Sequence, residues 1–268
     1  MRRSSMTDEK NASSRYKQWA EQQLQDYQNR CPGSLFADGL SLTVEEGYQL
    51  QDAVSQLRLK QGDRLVGYKV GCTSTKIRAQ LGITHCVSGR LYESEKHASG
   101  VQLSLSDFSN LAIEGELAVI LDRTPNQSDF EETGIPACVS CIMPVIELHN
   151  HVMHASPPST GELIASNAIH AGFVMGDSIE RMPDMELTGL SILVDGHPLE
   201  FCQGNQLIQT IQSSLQWLQE SLRETGTQLR RGQIILTGSI PPLIPVKKEC
   251  EVTIEVPTVG NSKATFVS

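Results

Sequence analysis

Glu114 and Glu116 stand two residues apart in the run Ile113–Leu121 (IEGELAVIL). On a strand, residues i and i+2 share a face, so the two carboxylates project side by side. Like charges this close repel, and setting them beside the apolar residues Leu117–Leu121 is costly without a counter-charge. A divalent cation supplies one. Two exposed glutamates on a solvated strand face are the alternative reading of the pair. A third acid, Glu147, is alone in the apolar run Pro144–Leu148 (PVIEL), where a partner suits it better than solvent. Three carboxylates on two strands, with waters completing six oxygens, suit Mg²⁺ or Mn²⁺. In Gly67–Gly71 (GYKVG), Lys69 lies between apolar neighbours and flanking glycines. Burial there lowers an ammonium pKa toward acid–base use, and the glycines permit close approach of a ligand. A lysine whose stem only covers apolar surface is the alternative.

Other clusters carry less. Cys138-Val139-Ser140-Cys141 is a CxxC followed by His149, His151 and His154, which is loosely zinc-like. No second CxxC and no regular histidine spacing supports it, and Glu147 intervenes in an apolar strand. The chain has no Gly-x-Gly-x-x-Gly after a strand, no Gly-Lys-Ser/Thr phosphate loop and no Gly-x-Ser-x-Gly elbow. Nucleotide binding and serine hydrolysis are disfavoured accordingly.

The elements that must position these groups are legible as patterns. Residues 14–29 carry Tyr16, Trp19, Ala20, Leu24 and Tyr27 at helical spacing. Thr43 with Glu46 is a capping-box signature, and the helix it opens places Leu50, Ala53, Val54 and Leu57 on one face. After Gly62 come β-prone runs at Arg64–Val70, Leu111–Leu121, Ile142–Leu148, Ala171–Met175, Leu190–Val194, Gln233–Thr237 and Cys250–Val256. One helical stripe interrupts them, from Leu207 through Ile211, Leu215 and Leu218 to Leu222, with Asn205 as cap, Gly226 as stop and Trp217 as core. Strands without regular βα alternation predict an α+β fold with a mostly antiparallel or mixed sheet. The expected plan is a disordered tail over 1–13, a helical N-terminal part over 14–62 and a β-rich catalytic domain over 63–268.

Bulk properties set the outer bounds. The chain has 268 residues, 39% of them hydrophobic and 21 glycines, which is ordinary for a folded protein. A net charge of −9 argues against nucleic acid or an anionic membrane as the main partner. No apolar run is long enough for a membrane span, and Met1–Ser14 has no apolar stretch after Arg2 and Arg3, so neither a span nor a secretory signal is expected. Seven scattered cysteines suggest reduced thiols in a cytoplasm.

Five segments occur together and in order: Gly67–Ser74 (GYKVGCTS), Glu114–Leu121, Pro144–Leu148, Asn167-Ala168 with Gly176 downstream, and Gln233–Val246 (QIILTGSIPPLIPV). Over roughly residues 43–268 the chain resembles the 2-keto-4-pentenoate hydratase and 4-oxalocrotonate decarboxylase group of the fumarylacetoacetate hydrolase superfamily. The resemblance implies a mixed β-roll core and a divalent metal on Glu114, Glu116 and Glu147. It also places Lys69 in the active site, with Thr73, Ser74 and Asn167 as substrate-binding positions, and implies assembly as a homo-oligomer. The chemistry it implies is that of a metal-dependent lyase. A small 2-oxo or 2-hydroxy-dienoic acid chelates the cation, which stabilises an enolate while water adds. A decarboxylase, a C–C hydrolase of acylpyruvate type and a non-enzymatic oxo-acid-binding homologue are the alternatives. No close His–Glu pair precedes Glu114, which disfavours the hydrolase.

Two positions depart from the group's pattern. Val87, in Cys86-Val87-Ser88-Gly89, takes the place of an acidic residue. Ile169, in Ser166-Asn167-Ala168-Ile169, takes the place of a serine. His85 and His170 lie next to these gaps and are candidates for the acid–base role, with ordinary packed or surface histidines as the alternative.

Overall fold

A computed structural model describes residues 2–75, 78–79, 82–155, 159–182 and 186–268, with side chains from residue 15 onward. The helices among them are α1 (Arg2–Gln28), α2 (Ser34–Ala37), α3 (Val44–Lys60), α4 (Thr160–Ala165) and α5 (Gly204–Glu224). The strands run β1 (Leu65–Gly71), β2 (Val87–Tyr92), β3 (Lys96–Ala98), β4 (Val101–Ser104), β5 (Leu111–Leu121), β6 (Val139–Asn150) and β7 (His170–Met175). They continue as β8 (Ile179–Glu180), β9 (Gly189–Val194), β10 (His197–Gln203), β11 (Ile234–Leu236), β12 (Ile244–Pro245), β13 (Cys250–Val256) and β14 (Gly260–Val267).

Two sheets face each other. The larger has the order β2-β1-β11-β5-β6-β7-β3, with β12 on β5 and β8 on β6; the smaller runs β10-β9-β13-β14-β4. Both are mixed: β1 pairs β11 in parallel, whereas β5 and β6 are antiparallel over nearly their whole lengths. This is the expected α+β arrangement. The alternation of β5 explains the layering. Ile113, Leu117 and Val119 pack with Ile192 and Ile254 of the smaller sheet in the main core. Gly115 belongs to that face too, and a Cβ there would lie 2.6 Å from Ile254 Cδ1. The opposite face carries Glu114, Glu116 and Ala118. Below the acids, Ala118, Met143, Val145, Phe173, Leu91 and Leu236 form a second apolar cluster. It is the floor on which the acids stand.

The helical N-terminal part packs across this side. α3 opens with the predicted capping box, Thr43 Oγ1 accepting from Glu46 N (3.2 Å) and Glu46 Oε2 from Thr43 N (2.9 Å). From its buried face Gln51 donates to the Ser88 and Ile164 carbonyls at 2.9 and 2.8 Å. α1 begins at Arg2, so residues 2–13, expected as a disordered tail, continue the helix. They contain neither Gly nor Pro to stop it. α5 starts two residues earlier than expected: Gln203 is the N-cap, its backbone N–H donating to Gln206 Oε1 (3.2 Å), and Asn205 lies inside the helix. Strands β2, β3, β4, β8, β10, β12 and β14 come from segments without a run of β-branched residues long enough to stand out.

Candidate metal centre

The register of β5 and β6 brings the acids together. Glu114 is directly opposite Glu147, Glu116 opposite Val145, and Ala112 opposite His149. Since directly opposed residues share a face, Glu114, Glu116, Glu147 and His149 form one row. Glu116 and Glu147 are 2% and 1% exposed, which removes the solvated-face reading; Glu114 is half-buried at the open end. Lys69 enters from β1, on the face opposite Tyr68 and Val70, and is 3% exposed, so it is not a surface stem.

Each buried acid has a definite set of partners. Glu147 Oε1 takes the Lys69 ammonium at 3.3 Å and His170 Nδ1 at 2.6 Å, while its Oε2 faces His149 Nε2 at 3.5 Å. Burial opposes its charge, but Lys69, His149 and His170 outweigh that and hold it well below the usual carboxylate range. Glu116 accepts from the Gly238 backbone N–H through Oε2, and its Oε1 is buried with no hydrogen-bond partner. Burial and the neighbouring Glu147 and Glu114 charges push Glu116 well above the usual carboxylate range. Lys69 departs from its expected behaviour. Burial lowers its pKa, yet Glu147, Glu114 and Glu116 prevail and raise it above the ordinary lysine value. The ammonium is therefore fixed in its charged form by the same acids that need a cation.

The glycines around Lys69 act on the protein itself. A Cβ on Gly67 would lie 1.7 Å from the Ile234 carbonyl oxygen, so this glycine permits strand packing and not ligand approach. A Cβ on Gly89 would meet Asn167 O at 2.7 Å and Lys69 Cγ at 3.1 Å. A Cβ on Gly71 would meet Lys69 Nζ at 3.2 Å and Val87 Cγ2 at 3.4 Å. Gly71, with no side chain, thus leaves room beside the ammonium, and Val87 borders the same spot.

His170 continues inward from the acids. Its Nε2 is 3.9 Å from Glu95 Oε2, and Glu95 Oε1 is held by Arg58 (2.6 Å) and the Tyr27 hydroxyl (2.8 Å). Arg58 lies over the Tyr92 ring at 3.6 Å from its centroid. Helices α1 and α3 thereby brace the partner of a site acid. The residues leading into His170 are strained: Asn167, Ala168 and Ile169 have φ of 55°, 52° and 57°. Such values are rare outside glycine and anomalous for a β-branched residue, and strain of this kind clusters at functional sites.

The remaining expected site residues are placed as follows. Asn167 spends its side chain on β2, Oδ1 accepting from Arg90 N (2.7 Å) and Nδ2 donating to Arg90 O (2.9 Å). Thr73 donates to the Ser239 carbonyl at 3.3 Å and packs beside Gly238, next to the loop that binds Glu116. Ser74 is half-buried at the start of the following turn. His85 is exposed, with Nδ1 2.8 Å from the Cys86 carbonyl, and does not join the acids. Val87 and Ile169 fall in one apolar cluster with Leu163, Ile164 and Ala168. The CxxC cannot share a metal with His149: Cys141 and His149 are both on β6, and at about 3.3 Å per residue they are roughly 26 Å apart. His149 was legible as part of the row, two residues beyond Glu147 on a strand, but only the register shows that it reaches the acids. Nothing local marks Glu95, Arg58 or Tyr27.

The donor set fits a divalent cation. Ligand atoms of Glu114, Glu147 and His149 lie within 4.8 Å of one another, and the orphaned Glu116 oxygen is buried in the same row.

Residues 94–267 match the model of the fumarylacetoacetate (FAA) hydrolase C-terminal family. The chain belongs to that family. It is 27% identical over 223 residues to a 2-keto-4-pentenoate hydratase of Paraburkholderia phymatum, covering 82% of this chain and 84% of that one. It is 26% identical over 237 residues to an Escherichia coli 2-oxo-hept-4-ene-1,7-dioate hydratase, covering 84% and 88%. Its fold is similar to that of 4-oxalocrotonate decarboxylase from Pseudomonas putida G7 in complex with magnesium and adipate, with a TM-score of 0.85 at 22% identity over 95% of this chain and 98% of that one.

Proposed function

We propose that this family member is a metal-dependent lyase, a hydratase of a small 2-hydroxy-dienoic acid, with Glu114, Glu116 and Glu147 as metal ligands. The observation that carries the reading is the row of three acids in a low-dielectric site, one of them with a buried oxygen that has no partner. Relatives named as hydratases of dienoic acids support the substrate class. When bound to these acids, Mg²⁺ or Mn²⁺ supplies Lewis acidity toward the carboxylate and keto oxygens of a 2-oxo acid.

The chain's own groups do the rest. Lys69 presents an ammonium on its Gly71 side, where it holds a substrate carboxylate or delivers a proton from Nζ. His170 keeps Glu147 oriented through its 2.6 Å contact, and Arg58 and Tyr27 steady the acid behind it. The apolar floor under Glu116 limits the access of bulk water. In this reading the enzyme works among reduced thiols in the cytoplasm, and its cysteines are free. It assembles as a homo-oligomer, for which Leu199 and Phe201 on the edge strand β10, 52% and 62% exposed, offer an apolar surface. Light scattering should then give a mass above the 29.4 kDa of one chain. A panel of 2-oxo and 2-hydroxy-dienoic acids followed by mass spectrometry tests the function. The expected product carries one added water; loss of CO₂ or cleavage into two acids would reassign the reaction.

One observation favours a second reading, an oxo-acid-binding homologue with little turnover. Val87 and Ile169 fall in one apolar cluster, with Val87 bordering the Gly71 side of Lys69, where the resemblance expects an acid and a serine. A general acid–base group contributes about 10²–10⁴-fold to a rate. The double substitution Val87→Asp with Ile169→Ser restores both polar groups. It should raise turnover of 2-hydroxypentadienoate by tenfold or more, on the order of the lower end of an acid–base contribution. Unchanged turnover in a folded, metal-binding variant would show that the lost groups are not what limits the enzyme.

A further inference from the structure

We infer that His149 is a fourth, nitrogen ligand of the metal centre and biases it away from Mg²⁺ toward nitrogen-accepting transition metals such as Co²⁺ and Zn²⁺. The inference rests on the metal reading above and adds a residue outside the three acids.

His149 is 1% exposed, and neither ring nitrogen has a hydrogen-bond partner. A buried imidazole left this way is expensive, since each nitrogen has given up its water without gaining a partner. The ring is nonetheless held beside the acids, with Nε2 3.3 Å from Glu114 Oε2 and 3.5 Å from Glu147 Oε2. These contacts have the distance of an ion pair and the orientation of no hydrogen bond. They fit a shared cation instead. Two ligands each bound at about 2.0–2.2 Å cannot be more than roughly 4.4 Å apart, and both separations satisfy that limit. The strand pattern makes the placement deliberate: His149 follows Glu147 on the same face of β6, and the residue across from it is Ala112, whose small side chain leaves room for the ring. Packing alone would be served by an aliphatic residue, as at Val145 in the same row.

The chemistry of the donor sets the preference. Mg²⁺ and Mn²⁺ favour oxygen ligands, whereas imidazole suits Zn²⁺ and the later transition metals, and divalent affinity rises from Mn²⁺ through Co²⁺ to Cu²⁺, with Zn²⁺ below that peak. A site of three carboxylates and one imidazole should therefore separate Zn²⁺ and Co²⁺ from Mg²⁺ more widely than carboxylates alone.

Calorimetric titration of metal-free protein with Mg²⁺, Mn²⁺, Co²⁺ and Zn²⁺ tests this, comparing wild type with His149→Val and His149→Gln. Far-UV circular dichroism establishes that each variant is folded. The two variants should lose Zn²⁺ and Co²⁺ affinity by at least the ~10–100-fold typical of outer-shell partners, with Mg²⁺ affinity changed far less. The visible absorption of the Co²⁺ form should shift in both variants. Equal losses for every metal, or a Zn²⁺/Mg²⁺ ratio and Co²⁺ spectrum identical to wild type, overturn the inference while leaving the three-acid site intact. Failure of the wild type to bind any of the four metals overturns both.

Discussion

Glu116→Gln should lose divalent-metal binding and, with it, all measurable turnover. The substitution keeps the size and the strand propensity of the side chain but removes the charge from a deeply buried acid of the row, which is 2% exposed. In the metal-free chain this acid is held well above the usual carboxylate range by burial and by Glu147 and Glu114, so the amide replaces a group whose charge is already disfavoured. Stability of the metal-free protein should accordingly hold or rise, because relieving a buried charge conflict is commonly neutral or stabilising. Metal affinity moves the other way. Loss even of a partner outside the ligand shell costs about 10–100-fold in affinity, and loss of a charged ligand should exceed that. The opposite signs separate a ligand from a structural acid. Calorimetry for Mg²⁺ and Mn²⁺ with thermal unfolding of the same samples reads both, and equal metal affinity in the two proteins would remove Glu116 from the site.

Lys69→Met should keep metal binding and abolish catalysis. The ammonium is 3.3 Å from Glu147 Oε1, and three acids hold it charged. Methionine fills the same channel past Gly89 with no charge. Removing one member of a buried pair costs about 3–5 kcal/mol, so the metal-free variant should unfold at a distinctly lower temperature than wild type. Added Mg²⁺ or Mn²⁺ should restore much of that loss, since a cation on the acids replaces the missing counter-charge and binds only the folded state. Turnover should not return with it. Loss of one acid–base group lowers rates by about 10²–10⁴-fold, and loss of a charged contact to the substrate carboxylate adds to that. Unchanged kcat/KM on any accepted substrate would show that Lys69 only neutralises the acids.

The acids were legible because a strand's alternation is simple. Glu114 and Glu116 share a face by spacing alone, and Glu147 is conspicuous as the single charge in PVIEL. What spacing cannot provide is register. Only the pairing of β5 with β6 shows Glu114 opposite Glu147 and brings His149 alongside them. The charge state of Lys69 was misread for a related reason: its apolar neighbours are visible in sequence, whereas the acids that override burial come from other strands. The short α2 falls in a stretch whose Pro32, Gly33 and Gly39 read as a loop, whereas α3 and the part of α1 from residue 14 were legible from periodicity and from the Thr43–Glu46 cap. Their purpose was not, because Tyr27 and Arg58 meet Glu95 through contacts of long sequence separation. His85 and His170 looked equivalent as histidines beside altered motifs. The fold separates them, one exposed on a loop and one buried against Glu147.

The central claim, a metal-dependent hydratase on a dienoic acid, is tested most directly by metal titration of turnover. Wild-type protein stripped with a chelator is assayed on 2-hydroxypentadienoate while Mg²⁺ or Mn²⁺ is added back, and the product mass is followed. No reaction is expected without metal, full activity is expected at one cation per chain, and the product should be heavier than the substrate by one water. Hydration that proceeds at the same rate after chelation would contradict the claim.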